Sequence, residues 1–275
     1  HCSQHLKSAI CYCFLSYFYP VEQFFNEFWL GIRTYPDAVK LIVRKKLWAW
    51  FIPPLVLSIL ILLGAWWLEL HLKEQSIPNV NSIKGLMADL LYNLFVFSVI
   101  MMGYKLRKYI VFIVLSPMLT KLSLQTETII TGNTYESNWK QFLSDIRRAI
   151  RISMGNFILE YSIFAFWYVF VLFVADAKPL TSFFLFSVGC YFYGFCMIDY
   201  INERFRLSID DSVKFVRTHA GFAIGNGAVF SLMFFIPYDI GVVFAPVLAI
   251  IAATLGMHEI TDLSKNPFAL KKSAL

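Results

Sequence analysis

Residues 47–68 carry no charged side chain, with Lys46 before them and Glu69 after. A helix needs roughly 20 apolar residues to cross the hydrocarbon core, so this stretch predicts a membrane span. Five more apolar stretches follow, at residues 86–104, 157–175, 180–198, 220–238 and 240–257. Each is only just long enough. The turns Asp176-Ala-Lys-Pro179 and Pro237-Tyr-Asp239 are so short that the last four stretches pair into two tight helical hairpins. Glu160 in the first hairpin, and Gly225-Asn-Gly227 and Pro246 in the second, argue against four full crossings. Hairpins that enter only partway are the alternative, because broken helices are tolerated at membrane depth where protein or water covers them.

Between the apolar stretches the period changes. Trp139, Phe142, Leu143, Ile146, Ile150, Met154 and Phe157 recur at three and four, while Lys140, Arg147, Arg148 and Arg151 fall mostly elsewhere. That pattern predicts an amphipathic helix suited to the headgroup layer. Residues 208–218 repeat the idea, with Ser208 as N-cap, Asp210 and Asp211 in the first turn, and Ile209, Val213 and Val216 as the apolar stripe. The fold class is therefore an all-α integral membrane protein with amphipathic interfacial helices.

Composition agrees: 58% of the 275 residues are hydrophobic, 18% aromatic and only 15% charged, far from a soluble domain. The net charge of +6 would suggest nucleic acid in a soluble chain, but its distribution excludes that here. Lys and Arg cluster at residues 33–46, 105–108, 140–151 and 204–217 and at Lys265, Lys271 and Lys272, whereas the intervening loops hold only Lys73, Lys84 and Lys178. By the positive-inside rule the clusters are cytoplasmic, as are both termini, and the loop after Tyr104 lies on that side. The basic faces also suit anionic lipid.

The first residues stand apart. His1, Cys2, His5, Cys11 and Cys13 resemble soft metal ligands in type, but their spacing fits no zinc motif. Residues 1–27 read as a tail outside the domain, disordered or foreign to the native protein, with one membrane domain over 28–262 and a basic tail over 263–275. No metal or cofactor motif appears in the sequence. Nor is there a phosphate loop, a His-Glu-x-x-His helix or a Gly-x-Ser-x-Gly elbow, so an enzyme is not expected. Carboxylates inside apolar stretches are costly and by default suggest function. They are Asp89, Glu160 and Asp199, with Glu259 at the last boundary. Cys190 and Cys196 read as small buried thiols.

The order of short motifs resembles the CysZ sulfate permeases and the related etoposide-induced membrane proteins. Phe28-Trp-Leu-Gly-Ile32, Arg44-Lys-Lys46, Pro53 and Gly64-Ala-Trp-Trp67 carry it in the first part. Leu115-Ser-Pro-Met118 running into Leu122 and Gln125-Thr-Glu127, then Ile198-Asp-Tyr200 before the basic helix, carry it in the middle. Phe235-Ile-Pro237, Ala245-Pro-Val247 and Ala253-Thr254 complete it. The resemblance implies two long transmembrane helices plus two partly inserted hairpins, homo-oligomers, and ATP-independent, proton-sensitive sulfate entry across the inner membrane to supply sulfur assimilation. It also implies an anion site made by a basic pair, here Lys45 and Lys46, and by backbone amides of a Gly-Leu-Leu-Ala-Glu stretch. That stretch falls on Thr120, Lys121, Leu122, Ser123 and Leu124, so its Gly becomes Thr120 and its Glu becomes Leu124. Asp199 and Tyr200 match an Asp-Tyr-Pro motif and are expected at a pore or gate; its Pro is replaced by Ile201. The alternative function is a non-transporting scaffold of the same fold that organises lipid or partner proteins.

Overall fold

The computed structural model describes residues 2–75, 83–135, 139–236 and 240–268. All regular elements among them are helical. They are α1 (Cys2–Lys45), α2 (Ile52–Gln75), α3 (Ile83–Thr131), α4 (Trp139–Phe173), α5 (Thr181–Asn202), α6 (Ile209–Thr218), α7 (Ala220–Met233) and α8 (Ile240–Thr261), with short 3-10 turns between several of them. The side chains of His1, Cys2, His5, Cys11 and Cys13 lie outside the described residues, as do Asp89, the turn at Pro237 and the tail after Phe268.

Three boundaries differ from the sequence-based expectation. The basic cluster Lys105–Lys108 is not a loop: α3 continues through it and through Pro117 for 49 residues, about 73 Å at 1.5 Å per residue. Lys, Arg, Leu and Tyr all tolerate helix, and no glycine or proline falls between Gly103 and Pro117 to stop it. Likewise the amphipathic stretch beginning at Trp139 and the third apolar stretch are one 35-residue helix, α4. Charge clusters mark where a helix leaves the apolar layer, not where it ends. At the other end, α1 runs through the boundary expected at Phe28, with Phe24 already packed against α7 and Glu27 against His219 at the α6–α7 corner.

The short apolar helix α7 is the axis of the fold, and its sequence explains why. Gly221 and Gly225, one turn apart, lie against the carbonyls of Phe24 and Phe28 on α1, whereas Ala223 and Gly227 lie against Gly194 and Cys190 on α5. Two faces of small residues at a four-residue spacing let two neighbours approach backbone to backbone, which is how apolar helices gain contact where the hydrophobic effect between them is absent. A Cβ at Gly227 would overlap the Cys190 carbonyl oxygen. Gly227→Val is therefore expected to destabilise by about 3 kcal/mol, because the helices must separate. Gly64→Ala on α2, with open space around it, should be neutral or stabilising by up to about 1 kcal/mol. Unfolding of the two purified variants in mixed micelles checks the contrast, and equal effects would refute it.

The expected hairpins form, α4 with α5 through the 3-10 turn Ala175–Leu180, and α7 with α8. Their burial differs. Within the candidate spans, 72% of α8 is inside the protein, but only 17% of Leu47–Gly64 and 17% of Ile146–Phe173. The core is thus α1, α5, α7 and α8 with the second half of α3, and α2 and α4 stand at its edge, presenting residues such as Leu63, Trp66, Phe166 and Phe173 outward. Cys190 and Cys196 are buried thiols in α5, as expected.

Candidate anion site

Lys45 closes α1, and Lys46 takes a left-handed backbone conformation (φ 55°, ψ 44°) that turns the chain into the 3-10 segment Leu47–Phe51. Pro53 and Pro54 then fall in the first turn of α2, where the amide that proline lacks would have had no helical acceptor. Both lysines are exposed. Four residues on, Trp50 Nε1 donates to Gln125 Oε1 on α3 at 2.9 Å. Gln125 is one turn beyond Lys121 on the same face, so the segment that follows the lysine pair packs against the face that carries exposed Lys121. The fold thereby brings Lys45, Lys46 and Lys121 to neighbouring segments.

The rest of the expected stretch behaves differently. Thr120 is half-buried, and Leu122 and Ser123 are fully buried. Ser123 Oγ lies 2.6 Å from Thr254 Oγ1 and accepts from Arg204 Nη2 at 2.9 Å. Residues 120–123 lie in the interior of α3, not at a helix start. Interior amides are spent on carbonyls four residues earlier, and Pro117 withholds a donor without freeing one. Side chains, rather than a helix N-terminus, are what this region offers an anion.

Behind it lies a polar cluster that sequence reasoning missed. Arg204 and Glu127, both buried, form an ion pair with Nε 3.2 Å from Oε2, although neither atom makes a hydrogen bond. Glu127 Oε1 instead accepts from Tyr135 OH and from Asn133 Nδ2, and Asn133 also donates to the Leu263 carbonyl at 2.8 Å. Asn266 Nδ2 donates to Tyr135 OH at 2.9 Å. Burial first, and then its hydrogen bond to Glu127, holds the Tyr135 phenol well above its ordinary value, so it remains a donor. Gln125-Thr-Glu127 signalled one half of this cluster; Arg204 was hidden among the surface cations of its own segment.

Asp199 and Tyr200 are both buried and tied to protein. Arg148 on α4 holds Asp199 through Nη2–Oδ1 at 2.7 Å and Nε–Oδ2 at 3.2 Å, and Ser212 Oγ on α6 donates to Oδ1 at 2.6 Å. Tyr200 OH donates to the Phe112 carbonyl on α3 at 3.1 Å. The pair therefore clasps α3, α4, α5 and α6. At the far end of α6, His219 Nδ1 meets Glu27 Oε1 at 2.7 Å, so the helix is tethered to the core at both ends. Its start is capped as expected, Asp211 N donating to Ser208 Oγ at 3.1 Å. Glu160 is buried in α4 beside Tyr161 and Tyr193, and Glu259 pairs with Arg33 at the surface. No cluster of metal-ligating side chains occurs among the described residues.

The model of the family described as sulfate transporter CysZ/etoposide-induced protein 2.4 matches residues 35–256. The chain belongs to this family. No curated protein matches it. The matched region spans the end of α1 to the end of α8 and so contains Lys45, Lys46, Lys121, Glu127, Asp199 and Arg204. Among the described residues, four helical segments, Leu47–Gly64, Ile146–Phe173, Ala175–Phe205 and Ile240–Thr261, are long and apolar enough to cross a membrane. Together with the family, they make this a multi-pass membrane protein of sulfate-transporter type.

Proposed function

We propose that this protein is an ATP-independent permease for sulfate or a related oxyanion, working as a homo-oligomer in the inner membrane with both termini cytoplasmic. The observation that supports the reading is the Trp50–Gln125 bond, which joins the segment after the Lys45–Lys46 pair to the helix that carries Lys121. Lys45, Lys46 and Lys121 attract the dianion, and Thr120 adds a hydroxyl at its edge. No catalytic chemistry enters this mechanism.

Uptake of radiolabelled sulfate by proteoliposomes, with phosphate, sulfite and molybdate as competitors, tests activity and selectivity together. Replacing Lys45 and Lys46 by Gln should weaken sulfate binding at least about tenfold, since hydrogen bonds to charged groups contribute about 1.5–3 kcal/mol each. Isothermal titration reads this directly, and unchanged affinity at unchanged oligomer size would remove the site.

The scaffold reading draws on one observation: the amides of residues 120–123 are committed inside α3. Proteoliposomes that hold intact protein yet take up none of the four oxyanions would favour it.

A further inference from the structure

An open furrow of about 330 Å³ runs between α2 and the start of α8. Leu55, Ile59 and Leu62 form one wall, Val243 and Phe244 the other, and the buried Ser58 hydroxyl on its floor is turned onto the Pro54 carbonyl at 2.8 Å. The lining is therefore apolar in effect. From Ile52 to Leu62 it follows α2 for about 15 Å, at 1.5 Å per residue. That is half of the roughly 30 Å hydrocarbon core, the depth of one leaflet.

The mouth of the furrow is at Phe51, which packs on Phe244 with ring centroids 5.0 Å apart. Before Phe51 come exposed Trp48 and three consecutive exposed cations, Arg44, Lys45 and Lys46. The 3-10 segment between them covers about 10 Å at 2.0 Å per residue. A cationic end, an exposed tryptophan and an apolar channel one leaflet deep occur in that order, which is the order of headgroup, interface and chain in a phospholipid.

We propose that the furrow between α2 and α8 holds one acyl chain of an anionic phospholipid whose phosphate sits at the cationic end of α1. The lipid fills the wedge that the fold leaves beside α2, a helix whose Leu47–Gly64 window is only 17% buried in protein. The site rests on the membrane character of the chain and not on sulfate transport. Lys45 and Lys46 serve both proposals, because sulfate and a phosphodiester are both tetrahedral oxyanions, so the test alters the furrow and leaves the cations in place.

Native mass spectrometry of the full-length protein, released from mild-detergent micelles containing equal phosphatidylglycerol and phosphatidylcholine, reads bound lipid and oligomer mass together. One phosphatidylglycerol per protomer is expected to survive, in preference to phosphatidylcholine. Leu55→Trp and Ile59→Trp, at exposed positions of the wall, each fill the furrow and should lower bound phosphatidylglycerol at least about tenfold at constant oligomer mass. Sulfate affinity of the same samples should not fall, which separates this site from the permease. Absence of bound lipid from the unaltered protein, equal retention of the two lipids, or retention within about twofold of unaltered protein in both variants overturns the proposal. A fall in oligomer mass in either variant also overturns it, in favour of a second copy at this face.

Discussion

Arg204→Leu is expected to destabilise the protein by about 3–5 kcal/mol, the usual cost of leaving one member of a buried ion pair without the other. The Glu127 side chain is fully buried and that of Arg204 is 5% exposed, so solvent cannot replace the lost partner. The loss spreads further, because Arg204 also donates to Ser123, which is bonded in turn to Thr254 on α8. Glu127 would keep Tyr135 and Asn133, two neutral donors, for a full negative charge. Replacing both partners, as Glu127→Gln with Arg204→Leu, should recover at least half of the loss, since a buried pair exchanged for neutral groups is often tolerated. Equilibrium unfolding in mixed micelles with rising SDS measures all three proteins. A change within about 0.5 kcal/mol for Arg204→Leu, the range of ordinary surface substitutions, would show that the pair contributes nothing.

The second large effect is expected at Asp199. Asp199→Ala removes the carboxylate that faces Arg148, whose side chain is only 14% exposed, and the acceptor of Ser212, so a loss of about 3 kcal/mol is expected. The double variant with Arg148→Ala should lose less than the sum of the two single losses, by about 1.5 kcal/mol, as contacting residues do. Additive losses would dissolve the clasp. Function separates two roles for this carboxylate. If Asp199 only joins α4, α5 and α6, sulfate uptake per folded molecule stays the same in Asp199→Asn; if it gates a pathway, uptake per folded molecule changes while stability changes little.

These two pairs also show what could be read along the chain. Hairpin order, the Ser208 cap and the membrane character depend on apolar length, short turns and local hydrogen bonding, all of which are properties of one segment. The Asp199–Arg148 pair was within reach as a buried carboxylate with a cation on the amphipathic helix. Arg204 was not, because the four cations in its segment look alike until packing selects one to be buried. The stretch from Thr120 to Ser123 shows a related limit: its amides lie inside α3, a helix that nothing in the preceding sequence stops.

The sequence by itself determined that this is an all-helical membrane protein, the order of its hairpins, and the family motifs that the match over residues 35–256 supports. Tertiary structure alone decided that α7, and not the long apolar α2, is the axis; that Ser123 faces Arg204 and Lys121 faces outward; and that Trp50 reaches Gln125. The physical reason is distance along the chain. Arg204 meets Ser123 across 81 residues, Trp50 meets Gln125 across 75 and Arg148 meets Asp199 across 51. Periodicity tells which face of a helix is apolar, but whether a charge on that face is satisfied depends on the partner that packing brings to it.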